Sequence, residues 1–199
     1  VKRFRIITPV VAAGLLLGLT ACGSGEPAPL TAPAAAAPKA EVASGHNDTD
    51  VMFLQMMVPH HAQGMEMVRL AEKEAKRPEI KDLVAAIGVT QADEAKSMTG
   101  WLTQWGKPTT ADPNAQAHAS HGGLPATNPE VIADLANAKG AEFEAKFLNL
   151  FSGHQGAAVE MARRELKEGA NGPVKDLADR IVKSRTGQIQ QMLTMLGQR

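Results

Sequence analysis

Between Asp50 and Val68, four of the chain's nine methionines, Met56, Met57, Met65 and Met67, flank the adjacent pair His60 and His61. A helix returns to the same face after three, four or seven residues. Met57, His61 and Met65 therefore fall one turn apart, and Met56, His60 and Met67 form a stripe beside them. Thioether sulfur with imidazole nitrogen is a donor set that suits copper(I), whereas histidine with carboxylate shifts the preference toward zinc or copper(II). The same stripe is also an ordinary core surface, because methionine is a flexible gap-filler. Successive helical residues diverge by about 100°. His60 is thus expected to face the interior, and His61 a groove or the surface, where it can chelate together with Met65.

The rest of the composition narrows the chemistry. The chain has 199 residues, no tyrosine and one cysteine, with 21 basic and 21 acidic side chains. That length suits one domain plus tails. Good helix formers dominate, and no long alternating β-branched run occurs. No basic patch is interleaved with aromatics, which argues against a nucleic-acid partner. No Ser-His-Asp order, phosphate loop or catalytic cysteine points to an enzyme. Glu-x-x-His, the usual motif of ferritin-type di-metal oxidases, does not occur.

Residues 1–21 read as a secretory leader: Lys2, Arg3 and Arg5 are followed by an apolar run from Ile6 to Leu19. Leu19-Thr20-Ala21-Cys22 resembles a lipobox, which makes Cys22 the expected site of lipidation. Acyl chains there would anchor the protein to the membrane, with its domain on the extracytoplasmic face. Residues 22–47 are rich in Ala, Pro, Gly and Ser and read as a tether. His46, at the end of the tether, is expected to be solvated.

The folded part, 48–199, reads as helices. The first begins near Asp48–Asp50, capped by Asp48 or Thr49, and runs to about Lys76. Pro59, which should interrupt or kink it, stands just before His60. The second runs from Pro78 to about Trp105. Gln91 and Glu94 fall on its apolar face with Ile87, and a buried glutamate is costly unless it is paired or ligating. A polar crossover, 109–127, holds His118 and His121, which are more readily a solvated pair than ligands. A short helix opens at Pro129, and long ones follow at about Ala141 to Glu168 and Gly172 to Leu196. Gly169 serves as a C-cap.

A shift of 94 residues aligns the two halves, about 50–105 and 142–198, without a gap. Phe53-Leu54 meets Phe147-Leu148, His60 meets His154, Glu66-Met67 meets Glu160-Met161, and Lys81-Asp82-Leu83 meets Lys175-Asp176-Leu177. Each half is a helix hairpin that cannot bury its apolar faces alone. The expected fold is all-α: a ferritin-like four-helix bundle of two repeated hairpins joined by a long crossover. His60 and His154 would then approach one another in the core. They are either metal ligands or hydrogen-bonded polar registers, the latter with Glu94 and Gln188 as partners.

The motifs Phe53-x-x-Met56-Met57-x-Pro59-His60-His61, Met67, and Gln91-x-x-Glu94-x-x-x-Met98 resemble the bacterial "domain of unknown function 305" family. So do Phe147-Leu148, His154-Gln155-Gly156-Ala157 and Met161-Ala162-Arg163 in the second half. The resemblance implies an exported ferritin-like bundle, with copper binding among some members. The second half departs from the pattern: Gly153 precedes His154, Arg185 stands opposite Gln91, and Gln188 opposite Glu94. The first half is therefore the better candidate site. The resulting ligand set is His60, His61, Met57, Met65, Met67, His154 and Met161, with Glu94 and Gln91 as supporting groups. The expected function is a copper-binding lipoprotein acting as a buffer or carrier, with zinc a less suitable ion. The alternative is a structural or interaction lipoprotein whose histidines bind no metal.

Overall fold

The computed structural model describes residues 45–112 and 126–198. Five helices follow in order: α1 (Asp48–Glu74), α2 (Pro78–Gln104), α3 (Pro129–Asn137), α4 (Gly140–Glu168) and α5 (Gly172–Gly197). The four long ones form the bundle, and the described residues contain no strand. Helix α1 packs on α2 and α4, α4 packs on α5, and α3 rests on α4. Among the described residues, no helix is long and apolar enough to cross a membrane.

Local chemistry sets the helix ends. Asn47, rather than Asp48 or Thr49, caps α1: its side chain accepts from the Asp50 N–H, and the Asp50 carboxylate accepts from the Asn47 N–H at 2.6 Å. This reciprocal capping box satisfies two otherwise orphaned donors. Proline occupies the first turn of α2, α3 and α5, where its missing N–H costs nothing. Helix α1 runs through Pro59 without a break. One lost hydrogen bond is outweighed there by packing on both sides, since Met56, Met57, His60 and His61 are all buried.

Two carboxylates 94 residues apart tie the hairpins together. Asp50, at the start of α1, accepts from the N–H groups of Ala170 and Asn171 in the α4–α5 turn. Glu144, at the start of α4, accepts from Lys76 and Arg77 in the α1–α2 turn, at 2.7 and 2.9 Å. Each carboxylate thus satisfies the exposed donors of the other hairpin's turn. Charge-assisted bonds of this kind are stronger than neutral ones. Glu165 is fully buried beside Asp50. Its carboxyl fills the space next to Gly169, only 2.0 Å from where a Cβ would stand. Gly169 does terminate α4, but at φ −68°; close approach, not a left-handed backbone, selects glycine there.

The apolar core divides into two clusters. One contains Phe53, Leu54, Met56 and Met57 of α1, Met98 and Trp101 of α2, Met161 of α4, and Ile181 of α5. The other contains Met67 and Val68 of α1, Ile80 and Ile87 of α2, Phe147 and Phe151 of α4, and Met192 of α5. On every long helix, buried polar residues lie between the segments that feed the two clusters: His60 and His61, Gln91, His154 and Gln155, and Arg185. The bundle therefore carries a polar layer across its middle. Each fully buried leucine or phenylalanine contributes roughly 1.5–3 kcal/mol, which offsets the cost of burying that layer.

Candidate metal centre

The layer is built from the helix midpoints inward. His60 of α1 lies face to face with His154 of α4, with ring centroids 3.7 Å apart and planes 11° from parallel. The stack continues down α4 through Phe151, Phe147 and Phe143, residues spaced so that one helical face carries all four rings. The end of the crossover fixes His154 from outside. Thr127 Oγ1 shares a hydrogen bond of 2.9 Å with His154 Nδ1. Gln63 of α1 holds Thr127 in turn, donating to its carbonyl at 3.1 Å and accepting from its N–H at 3.0 Å.

This arrangement turns unpartnered donor atoms inward. His60 Nε2, His154 Nε2 and Gln91 Oε1 are all buried without a hydrogen-bond partner. Gly64 makes room for two of them. A Cβ there would stand 2.6 Å from Gln91 Oε1 and 2.9 Å from His154 Nε2, so both atoms lie against the α1 backbone and near one another. Burial, and then repulsion from His154 and His61, holds His60 well below the ordinary histidine range. Burial, followed by the charges of His61 and Arg185, lowers His154 to about 3. Both rings are therefore neutral near pH 7, the form in which imidazole ligates metals. Two cavities reach the pair. One of about 250 Å³ is lined by Met56, Pro59, His60 and Gln63. The other, of about 320 Å³, is lined by Thr127, Gly153, His154 and Ala157.

Gly64→Ala tests this cradle. The methyl group would displace the ends of the Gln91 and His154 side chains, which can give but are held by Gln155 and Thr127. A loss of roughly 1–2 kcal/mol is expected, read by chemical denaturation. An unchanged midpoint would show that the two side chains do not press on Gly64.

In the other half of the layer the charged groups pair with one another, although His61 Nδ1 and Arg185 Nε remain buried without a partner. His61 Nε2 lies 2.7 Å from Glu94 Oε2, and the Arg185 guanidinium donates to the same oxygen. Burial alone would raise the Glu94 carboxyl. The His61 hydrogen bond and the Arg185 charge outweigh it and hold the group below its usual range. His61 is lowered by burial, with Glu94 opposing. On the facing hairpin, Gln155 donates to Gln188 at 2.5 Å, and Gln91 donates to Gln155 at 3.5 Å.

Several expectations are corrected by this geometry. His61 does not face a groove or the surface; it is 1% exposed. Helix α1 lies between α2 and α4, so two neighbouring stripes of it are covered at once. Glu94 partners His61 rather than the His60–His154 pair, and Gln188 partners Gln155. The methionines are dispersed. Met57 and Met161 belong to one apolar cluster and Met67 to the other, while half-buried Met65 directs its methyl toward Gly88 of α2. His46 is not a free tether residue: it stacks on Trp105 at 4.1 Å. Cys22, His118 and His121 lie outside the described residues. Among the described residues, no group of three or more His, Cys, Asp or Glu side chains comes together to hold a metal. A centre here must draw on the two histidines, amide oxygen and thioether.

Fold and site together define an all-helical bundle with a buried histidine layer at its middle. The chain belongs to the family described as "Domain of unknown function (DUF305)", whose model matches residues 50–196. Solved relatives share the fold. A putative secreted DUF305 protein from Streptomyces coelicolor is 26% identical, with 75% of this chain and 92% of that one covered at a TM-score of 0.70. A DUF305 fragment from Deinococcus radiodurans is 25% identical, with 77% and 98% covered and a TM-score of 0.67. CopM in its Cu(I)-bound form is 29% identical, with 75% and 96% covered and a TM-score of 0.63. No curated protein matches the chain.

Proposed function

We propose that this bundle binds a soft metal ion, copper(I), in its central layer, and serves as a non-catalytic copper buffer or carrier at the outer face of the cell membrane. The observation that carries this reading is the pair of neutral, buried and unpartnered Nε2 atoms of His60 and His154 beside the unpartnered Gln91 Oε1. An unsatisfied buried polar group costs about 1–3 kcal/mol, so the pair is expensive unless something binds it. In the tautomer in which Thr127 accepts the Nδ1–H of His154, the Nε2 lone pair is left for a metal. This is how an outer partner usually orients a ligating histidine. Met56, which lines the cavity beside His60, supplies a thioether at the entrance. Likeness to CopM, solved in Cu(I)-bound and Cu(II)-bound forms, supports copper as the metal, the neutral imidazole and thioether donors favour its monovalent state, and the Streptomyces coelicolor relative described as a putative secreted protein supports the location. Anchoring through Cys22 rests on the leader alone. A native N-terminal peptide without acyl mass would remove it and leave the metal reading intact.

The competing reading, a polar register without metal, draws on the satisfied contacts of His61, Glu94 and Arg185. Copper(I) competition titration separates the two. His60→Ala and His154→Ala are each expected to weaken binding at least about tenfold. His61→Ala should lower the melting temperature and leave affinity largely unchanged. Wild-type affinity no better than that of a variant lacking both His60 and His154 would establish the register reading.

A further inference from the structure

The central layer already contains one cation. Arg185 of α5 is 0% exposed. Its Nη2 donates to Glu94 Oε2 and its Nη1 to Ser184 Oγ, at 3.2 Å in the latter case, and Nε has no partner. Its charge acts on the rings of His61, His60 and His154, and the buried amides Gln91 and Gln155 belong to the same layer. Among the described residues of the layer Glu94 is the one anionic donor, and the guanidinium occupies it. Position 185 stands 94 residues from Gln91, so one hairpin carries a neutral amide where the other carries a guanidinium.

We propose that Arg185 is a resident cation that bars divalent metals from the layer and restricts it to a monovalent soft ion. The valence claim builds on the copper(I) reading, but the exclusion of divalent ions stands on Arg185 and Glu94 alone. Coulomb repulsion from the guanidinium doubles when the incoming ion carries two charges instead of one. Divalent ions also depend more on an anionic ligand, and none is free. Neutral imidazole and thioether donors, by contrast, suffice for a monovalent soft ion. Arginine cannot relieve the conflict by giving up its proton.

Arg185→Gln in the full chain makes the two hairpins alike at this position and releases the Glu94 carboxylate beside His61. Isothermal titration with zinc(II) is expected to show one site, about 30-fold or more tighter than any zinc binding by the wild type. Glu94→Gln/Arg185→Gln, which lacks the carboxylate, should lose that gain. If Arg185→Gln is unfolded without metal, zinc is expected to restore its helical circular dichroism and raise its melting temperature. Zinc binding no tighter than in the wild type, equal binding by the double variant, or an unfolded Arg185→Gln protein that zinc does not rescue would overturn the proposal. The outcome is separable from that of the copper(I) titration, because zinc capture by Glu94 and His61 does not require His60 or His154 to bind copper.

Discussion

Glu94→Ala is expected to lower the folding stability by about 3–5 kcal/mol, the usual cost of removing one partner of a buried ion pair. Glu94 Oε2 receives both the His61 ring and the Arg185 guanidinium. Its removal leaves a fully buried charge with only Ser184 Oγ as partner and deprives His61 Nε2 of its hydrogen-bond partner. Glu94→Leu/Arg185→Met, which removes charge from both sides, should recover most of the loss, because apolar replacement of a whole buried pair is often neutral. Urea denaturation of the two variants checks the argument. A loss below about 1 kcal/mol for Glu94→Ala would mean that the ion pair is solvated in solution.

The second large effect is a fall in stability across mildly alkaline pH. Burial, and then the hydrogen bond and charge of Asp50, push the Glu165 carboxyl up from 4.5 to about 8. The folded protein therefore holds a proton that the unfolded chain releases near pH 4.5. The stabilisation is fully present below that value and is lost as pH rises through about 8. The whole shift amounts to roughly 5 kcal/mol, of which about 2 falls between pH 6.5 and 8. Opposing groups leave that upper window clear. Asp50 is shifted the other way: burial would raise it, but hydrogen bonds from Asn47, Glu165, Asn171 and Ala170 hold it low, so its contribution is lost only in acid. The lowered pKa values of His60, His61 and His154 make stability rise with pH up to about 6.5. Wild-type stability should thus peak near pH 6.5 and decline toward 8.5, whereas Glu165→Gln should hold level. A wild-type profile flat from pH 6.5 to 8.5 would show that Glu165 is ionised in the native state.

Much of the architecture is legible in the sequence because it rests on local rules. Prolines in first turns, short polar turns and 3.6-residue periodicity mark the long helices. The 94-residue offset brings His60 to His154 before any coordinates are considered. The polar layer is legible only in outline. Glu94 stands out as an acid on an apolar face, but its partner Arg185 is 91 residues away, and only packing makes the pairing. Asp50 and Glu144 look like ordinary acids near the starts of their helices, yet each reaches across to the opposite hairpin's turn. Thr127 and Gln63 carry no motif at all. The methionines mislead for a definable reason: spacing places Met57, Met65 and Met67 on neighbouring stripes but does not say which lies in the layer and which above or below it. His61 misleads because a helix covered on two sides has no groove-facing stripe next to its core-facing one.

The most direct test of the metal centre is nitrogen-15 spectroscopy of the histidine rings during titration with silver(I), a redox-inert counterpart of copper(I). One equivalent is expected to shift the Nε2 signals of His60 and His154 together, while the ring of His61 keeps the signature of its bond to Glu94. Signals of His60 and His154 that stay unchanged at saturation, with any response confined to other histidines, would contradict the account.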